Sequence, residues 1–178
     1  MGLGLPWAVA ASYPRSSVHR MDVAGRPPMA AGYGIATDAE GMLPFDWAEQ
    51  RLTESRNYWV CTTRADGRPH AMPVWGLWLD GAVFFSTDPG SVKGRNLAAR
   101  PDAVVHLESG DELVLAEGRV ERISGAEVPA EFADRYDEKY GHRIDLADPS
   151  FACYRLRPDR VIAWREKDFP TSATAYSP

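Results

Sequence analysis

The sequence predicts a mostly β protein, a small closed or split antiparallel barrel with helices that cap its ends. Three observations lead to this fold class. Residues 58–87 hold three segments rich in aromatic and β-branched residues, and the tight turns Asp66-Gly67 and Asp80-Gly81 separate them. Turns so close together indicate an antiparallel meander, because parallel strands need long crossovers. Further β-rich segments follow up to Arg165, with only short helical patterns between them.

Composition indicates one soluble domain with its own core. The chain has 178 residues, of which 44% are hydrophobic and 25% charged. No apolar run approaches the ~20 residues that span a bilayer, and the net charge of −5 disfavours nucleic-acid binding. Cys61 and Cys153 lie far apart without a CxxC pairing, which is typical of buried thiols in a reducing compartment. We therefore expect a cytoplasmic protein with neither a nucleic-acid nor a membrane partner.

Four segments divide the chain. Residues 1–26 are rich in Gly, Pro and Ala and are predicted to be disordered, and residues 27–44 form an extended arm. Residues 45–166 form the barrel domain. Residues 167–178 are a C-terminal tail, and we expect irregular structure from Glu166 onward.

The barrel domain begins with a short helix. Asp46 is its predicted N-cap, and Glu49 three residues later completes a capping box. Strands follow at short intervals, the second with Pro73 at an edge or bulge and the fifth with Gly118 at a bulge. The predicted strands are Tyr58–Arg64, His70–Leu79, Ala82–Thr87, Ala103–Glu108, Leu113–Ile123, Phe151–Leu156 and Val161–Arg165.

Two more helices interrupt the strands. Ser91 is the predicted N-cap of a helix over Val92–Ala99, and Pro101 prevents its continuation. The other helix covers about Pro129–Tyr140, with its proline in the first turn, where proline is tolerated. The helix that starts after Ser91 holds the strongest candidate for a binding site.

This helix start predicts an anion site, which we call the phosphate cradle. A helix N-terminus offers free N–H groups and the positive end of the helix dipole. Three hydroxyl side chains and two cations lie in or next to it, and arginine can bind a phosphate with two hydrogen bonds. A solvated basic helix end with a serine N-cap explains the same residues about as well. The members of the cradle are Ser86, Thr87, Ser91, Lys93, Arg95 and Asn96.

Other candidate residues have simpler structural explanations. Trp75 and Trp78 would suit a platform for a planar ring, but core packing explains such aromatic residues more simply. His70 has no sequence neighbour that would tune it for catalysis. His106 and Glu108 share a strand face, yet no second histidine is spaced to complete a metal site. The sequence therefore predicts no metal site, identifies no catalytic residue, and contains no hydrolase or P-loop motif.

The run from Tyr58 to Gly118 resembles the pyridoxamine 5′-phosphate oxidase-like proteins. The resemblance rests on the segments TTRADGRPHAMPVWGLWLDG, FFST, SVKGRNLAARPDAVVHLESGD and EG. The chain is most similar to their flavin/deazaflavin oxidoreductase branch, many of whose members use coenzyme F420, and the likeness extends over residues 21–165. It implies an FMN-binding-protein-like split β-barrel of antiparallel Greek-key type. It also implies a homodimer, with the cofactor in a groove between the two barrels.

The resemblance further implies which residues contact the cofactor. All six members of the phosphate cradle would hold its phosphate. The backbone of the second strand would lie along the ring, and a tryptophan from the partner chain would line the pocket. The implied strand residues are Met72, Pro73, Val74 and Trp75, and the implied tryptophan is Trp164.

Three positions depart from the oxidase itself. Met72 stands where the oxidase typically has an arginine, Val92 where it has a second basic residue, and Leu113 where it has a glutamine. These departures favour coenzyme F420 over FMN, and hydride transfer to a small unsaturated substrate over oxidation of pyridoxamine phosphate. Two alternatives stay open: an FMN-dependent oxidase-like enzyme, and a non-catalytic carrier of a flavin, haem or tetrapyrrole.

Overall fold

The structure, a computed structural model, describes residues 20–178. Over these residues nine strands form one antiparallel sheet, and four α-helices lie around it. The strands are β1 (Val23–Gly25), β2 (Tyr58–Thr63), β3 (Pro69–Val74), β4 (Gly76–Leu79), β5 (Ala82–Ser86), β6 (Asp102–His106), β7 (Glu112–Ile123), β8 (Cys153–Arg165) and β9 (Thr174–Ser177). The helices are α1 (Phe45–Glu54), α2 (Val92–Ala99), α3 (Phe132–Tyr140) and α4 (Phe169–Ser172). The predicted mostly β fold with capping helices is confirmed.

The strand order closes the sheet into a barrel. Neighbours run β1, β9, β8, β7, β6, β2, β3, while β5 pairs with both β8 and β4. Only Trp75 separates β3 from β4, so this stretch joins the two ends of the sheet. The strand predicted at His70–Leu79 is therefore two strands with different neighbours. Gly76 permits the change, because a β-carbon there would lie 2.6 Å from the Phe84 carbonyl oxygen.

The two longest strands, β7 and β8, pair along their length. The separate strands predicted at Phe151–Leu156 and Val161–Arg165 are wrong, because β8 continues through Pro158. Pro158 lies opposite Gly118, where the register shifts and the ladder is interrupted. A residue without an N–H is tolerated at such an interruption. The predicted bulge at Gly118 is thus confirmed, and it explains how one strand accommodates the proline.

Two apolar clusters hold the layers together. One fills the barrel and includes the fully buried Tyr58 and Phe85. The other lies between the sheet and α3 and includes Phe84 and Phe132. Adjacent residues of β5 thus enter different clusters, as the alternation of side chains along a strand requires. Trp78 belongs to the barrel cluster, so core packing is the correct explanation for this residue.

Both ends of the described chain are folded onto the barrel. β9 pairs with β8, and β1 pairs with β9. The Arg26 guanidinium fixes this arrangement through hydrogen bonds to four backbone carbonyls, those of Asp38, Glu40, Thr171 and Ala173. The expectation of disorder up to Arg26 is therefore wrong for residues 20–26, and the expected irregular tail is wrong for residues 169–177. The same expectation for residues 1–19 lies outside the described residues.

Two helix starts differ from their predictions. α1 begins at Phe45 with Pro44 as its N-cap, so Asp46 lies inside the first turn instead of capping it. Its carboxylate there still lies near the positive end of the helix dipole. α3 begins at Phe132 instead of Pro129, and the Pro129 carbonyl accepts a hydrogen bond from the Phe132 N–H. The proline thus forms a turn before the helix.

Candidate functional site

The phosphate cradle surrounds the first turn of α2. Ser91 caps this helix, and its Oγ accepts a hydrogen bond of 3.0 Å from the Gly94 N–H. The Thr87 hydroxyl lies 3.2 Å from the Ser91 hydroxyl. Gly94 allows the preceding loop to approach closely, because a β-carbon there would lie 2.6 Å from the carbonyl oxygens of Asp88 and Pro89. The local sequence thus sets two hydroxyl groups beside the positive end of the helix.

Lys93 is a buried cation without a counter-charge. Only 8% of its surface is exposed, and within residues 20–178 its side chain has no hydrogen-bond or ion-pair partner. Burial lowers the pKa of its ammonium group, because the charged form loses hydration. A buried charge is costly unless it is paired. Lys93 therefore marks a position where an anion would be stabilised.

The remaining cradle residues serve the fold as well. Arg95 donates from Nη1 to the Gly90 carbonyl and so stabilises the loop before α2. Asn96, which is 7% exposed, donates a hydrogen bond of 2.9 Å to Thr62 Oγ1 on β2. Ser86 ends β5 and is partly buried. The structure brings Thr87 and Ser91 together at the start of α2, next to Lys93, whereas Arg95 and Asn96 already have partners within the chain.

Sequence reasoning missed a polar contact beside the cradle. Thr62 and His70 are partners in the β2–β3 hairpin, and Thr62 Oγ1 lies 3.5 Å from His70 Nδ1. Burial and the positive charges of Arg64 and Lys93 lower the pKa of His70, so the imidazole lies within electrostatic range of the unpaired lysine. The register set by the Asp66-Gly67 turn is the sequence signal that pairs Thr62 with His70.

The strand implied to contact the cofactor ring is partly open. Met72 is 48% exposed and Pro73 is also exposed, whereas Val74 is buried. Trp75 stacks its indole on Tyr140 of α3, with ring centroids 4.7 Å apart and an angle of 8° between the planes. Trp75 is 40% exposed in spite of this contact, so both its side chain and the neighbouring strand remain open to a ligand.

A groove lies beside the start of β3. It has a volume of about 650 Å³, and its walls come from β2, β6, β7 and β8, together with Pro69 of β3. Its volume lies within the range of small-molecule and cofactor sites, roughly 300–1,000 Å³. Thr62 is among the residues that line the groove, and its side chain is hydrogen-bonded to Asn96 of α2.

Trp164 lies on β8 opposite Leu113. In this chain its indole packs edge-to-face on Phe169 of α4, with ring centroids 5.4 Å apart. Phe169 in turn contacts Tyr33 of the N-terminal arm. The role of Trp164 in the pocket of a second chain stays a prediction.

A second, smaller cavity of about 310 Å³ lies between α1, β4 and α3. Its wall includes Lys139, which donates hydrogen bonds to two backbone carbonyls and one hydroxyl. Burial and the nearby charge of Arg135 lower the pKa of Lys139 to about 8. These three acceptors anchor Lys139 to the barrel, in contrast to Lys93, whose side chain has no such partner within the described residues.

The described residues were searched for a metal site and for a membrane-spanning helix. No cluster of three or more His, Cys, Asp or Glu side chains within residues 20–178 is placed to hold a metal ion. His106 instead stacks on Trp59, with ring centroids 6.2 Å apart. In the same part of the chain, no helix has the length and apolar character needed to cross a membrane.

Known sequences place the chain in a family. The profile described as pyridoxamine 5′-phosphate oxidase matches residues 46–165. The chain belongs to the pyridoxamine 5′-phosphate oxidase family. It is 30% identical over 167 residues to the pyridoxine/pyridoxamine 5′-phosphate oxidase of Paracidovorax citrulli, covering 73% of this chain and 74% of that enzyme. Identity to the enzyme of the same name from Ectopseudomonas mendocina is 37% over 132 residues, covering 70% of this chain and 60% of that enzyme. The chain is thus a member of a family of flavin-type oxidoreductases.

Solved structures show the family's split β-barrel. A conserved hypothetical protein from Mycobacterium tuberculosis has a TM-score of 0.62 at 24% identity, covering 73% of this chain and 89% of its own. An F420 reductase has a TM-score of 0.52 at 21% identity, and the match covers 64% of this chain and 94% of the reductase. The heme storage protein HutZ from Vibrio cholerae has a TM-score of 0.52 at 17% identity, and the match covers 64% of this chain and 87% of HutZ. At these identities the likeness shows the fold alone.

The cradle residues fit the phosphate of a flavin-type cofactor. A phosphate supplies negative charge and several acceptor oxygens. The cradle supplies the unpaired charge of Lys93, the hydroxyls of Thr87 and Ser91, and the N–H groups in the first turn of α2. Donor types and charge are therefore complementary to such a group.

Proposed function

We propose that this protein is a coenzyme F420-dependent oxidoreductase whose phosphate cradle binds the cofactor phosphate. The observation that supports this most directly is the burial of Lys93 at the start of α2, with no counter-charge from residues 20–178. A cation in such a place destabilises the fold unless an anion joins it. A solvated basic helix end, the simpler alternative, would leave the ammonium group in water.

The bound cofactor would supply the hydride chemistry, and the protein would supply binding and orientation. Lys93 and the first N–H groups of α2 would bind the phosphate, and the hydroxyls of Thr87 and Ser91 would orient it. The backbone of residues 72–75 would then fix the ring at the open face of β3. The acceptor of the hydride would be a small unsaturated molecule, for which no side-chain acid or base is essential.

The departures at Met72, Val92 and Leu113 favour coenzyme F420 over FMN. FMN carries a phosphate monoester with a charge of about −1.5 to −2 at neutral pH, whereas the phosphodiester of coenzyme F420 carries one negative charge. A site with one buried lysine and neither basic residue at positions 72 and 92 suits the smaller charge. FMN is the second candidate, because the relatives with 30–37% identity are named pyridoxine/pyridoxamine 5′-phosphate oxidases.

The proposal includes a homodimer in the cytoplasm. In a dimer Trp164 of one chain would approach the groove of the other. Both cysteines are free, and burial raises the pKa of Cys153 to about 12, so that this thiol stays protonated in a reducing cytoplasm. Sedimentation of the purified protein would test the dimer directly.

Equilibrium titration tests the cofactor and the cradle together. Coenzyme F420, FMN and riboflavin are titrated against the wild type, Lys93→Met and Lys167→Met, with binding followed by cofactor fluorescence. We expect coenzyme F420 to bind more tightly than FMN. Lys93→Met should weaken binding of coenzyme F420 by tenfold or more, since a hydrogen bond to a charged group contributes about 1.5–3 kcal/mol. The exposed Lys167 is the matched control and should leave affinity unchanged.

Each part of the proposal has an outcome that contradicts it. Tight binding of FMN without affinity for coenzyme F420 would overturn the cofactor assignment. Unchanged cofactor affinity in Lys93→Met would overturn the cradle. Binding without oxidation of reduced coenzyme F420, across a panel of enones, quinones and tetrapyrroles, would favour a non-catalytic carrier.

A further inference from the structure

A chain of polar contacts connects three elements beside the cradle. Asn96 on α2 donates from Nδ2 to Thr62 Oγ1 on β2, at 2.9 Å. Thr62 Oγ1 in turn lies 3.5 Å from Nδ1 of His70 on β3 and 3.4 Å from the His70 carbonyl oxygen. Asn96 and Thr62 are 7% and 4% exposed, so water does not replace these contacts freely. We call this set the Asn96–Thr62–His70 relay.

The Thr62 hydroxyl connects the Asn96 amide to the imidazole ring. It accepts from the amide and has one hydrogen to donate, either to His70 Nδ1 or to the His70 carbonyl oxygen. In the tautomer with the proton on Nε2, Nδ1 accepts from the Thr62 hydroxyl, and the Nε2–H is directed away from Thr62, where it can donate to a ligand.

His70 also lies on a partly open face of β3. It precedes Met72 by two residues on β3, so both side chains belong to the same face of the strand. That face is open at Met72, which is 48% exposed. His70 itself is partly exposed, and the relay connects it to Asn96, which follows Lys93 by three residues on α2. Residues three apart on a helix lie on the same side of it, so His70 and Lys93 belong to neighbouring parts of the site.

We infer that His70 is a further phosphate ligand of the cofactor site, and that Thr62 and Asn96 hold its ring in the tautomer that donates from Nε2. This inference rests on the proposed function, since it adds a residue to the proposed anion site. It assigns His70 a contact with the ligand, and it makes Thr62 and Asn96 positioning residues.

The surroundings of His70 predict a response to the anion. The charged groups that face it are Arg64 from the hairpin and Lys93 from α2, and Thr62 and Asn96 are its uncharged polar neighbours. Burial and the two cations lower the pKa of His70. A phosphate bound beside Lys93 would oppose that effect, because an opposite charge favours the protonated imidazole. Binding should therefore raise the pKa of His70.

Nitrogen-15 NMR of the imidazole rings tests the inference in the cofactor-free protein. We expect the His70 signals of the neutral ring to show the Nε2–H tautomer. Titration with inorganic phosphate should then raise the pKa of His70 by about one pH unit or more. A ring that is mainly protonated on Nδ1, or a pKa unmoved by saturating phosphate, would overturn the inference.

Variants separate a ligand from a structural histidine. His70→Ala should weaken binding of FMN and coenzyme F420 about tenfold, and leave riboflavin, which lacks the phosphate, unaffected. Thr62→Val should disturb the tautomer and weaken phosphate binding, whereas Thr62→Ser, which retains the hydroxyl, should restore both. His142→Gln, at an exposed histidine next to α3, is the matched control and should change neither. An equal loss of riboflavin and FMN affinity in His70→Ala would assign His70 a structural role.

The same measurements distinguish two kinds of failure. If Lys93→Met abolishes phosphate binding and His70→Ala does not, the proposed cradle stands and the inference about His70 fails. If neither variant changes the affinity for phosphate-bearing cofactors, both the inference about His70 and the proposed function fail.

Discussion

Replacing Lys93 by methionine should weaken cofactor binding and, at the same time, make the cofactor-free protein more stable. The lysine is 8% exposed and has no counter-charge within the described residues. In the free protein its charge is desolvated without compensation, and methionine has a similar length without that charge. Opposite effects on affinity and stability are expected at a binding site and not at an ordinary core position.

The size of the stability gain follows from the burial. Replacing buried charges by apolar residues of similar volume stabilises proteins by about 1–4 kcal/mol, and the lower end applies because Lys93 keeps some exposure. For a chain of this size, 1 kcal/mol corresponds to roughly 2–4 °C in Tm. We therefore expect Lys93→Met to melt about 2–5 °C above the wild type at pH 7, in the absence of cofactor.

The gain should depend on pH in a definite direction. The folded pKa of Lys93 lies below its ordinary value of 10.5. Between these two pKa values the unfolded chain binds more protons than the folded one, so wild-type stability rises with pH in that window. The variant lacks this contribution. The difference in Tm should therefore be largest below the folded pKa and should narrow as the pH approaches 10.5.

Differential scanning fluorimetry or calorimetry of the cofactor-free protein from pH 6 to pH 10 measures this difference. Lys167→Met is the control, because it removes an exposed lysine and should shift Tm by less than about 1 °C. A lower Tm for Lys93→Met at every pH would refute the reasoning. It would mean that the ammonium group has a stabilising partner in the free protein.

Other substitutions and a labelling experiment test the fold around the site. Gly118→Ala should lower stability by about 2 kcal/mol or more, because a β-carbon would clash with the Arg157 carbonyl at the bulge, and urea unfolding measures this. Tyr140→Phe should cost about 1–3 kcal/mol, since its hydroxyl accepts from the Gly76 N–H at 2.9 Å, and hydrogen exchange at that N–H should accelerate. At pH 8 a thiol reagent should label at most one of the 2 cysteines in the native protein, because burial raises the pKa of Cys153 to about 12; labelling of both would contradict its burial.

Local signals made the central part of the fold predictable. The two Asp-Gly turns fix the meander, and Ser91 and Pro101 delimit α2, whose bounds are those predicted. The termini were not predictable in this way. Arg26 joins segments that are more than 140 residues apart in sequence, for example through Thr171, and such long-range pairing leaves no periodic pattern in either segment.

The sequence could predict which residue types form the candidate site, but not which of their charges are paired. Residue types and spacing predicted the cradle as a candidate site, including Lys93 and Ser91. Sequence could not show that Lys93 is unpaired or that Arg95 is engaged by the loop, because both depend on how closely α2 packs on its surroundings. The contact between Thr62 and His70 depends on the register of the β2–β3 hairpin. The search for a partner of His70 among its sequence neighbours did not take that register into account.

The burial of Lys93 connects these features. Its neighbour Gly94 permits the loop to pack closely on α2, since any β-carbon there would meet two loop carbonyls at 2.6 Å. Lys93 itself is 8% exposed, so it is desolvated before any ligand arrives. An anion that binds there meets a cation already stripped of water, so their attraction is stronger than at the surface. The free protein is less stable for the same reason, and a bound cofactor should raise its Tm in proportion to RT ln(1 + [L]/Kd). Affinity for the anion and instability of the empty site thus have one structural cause.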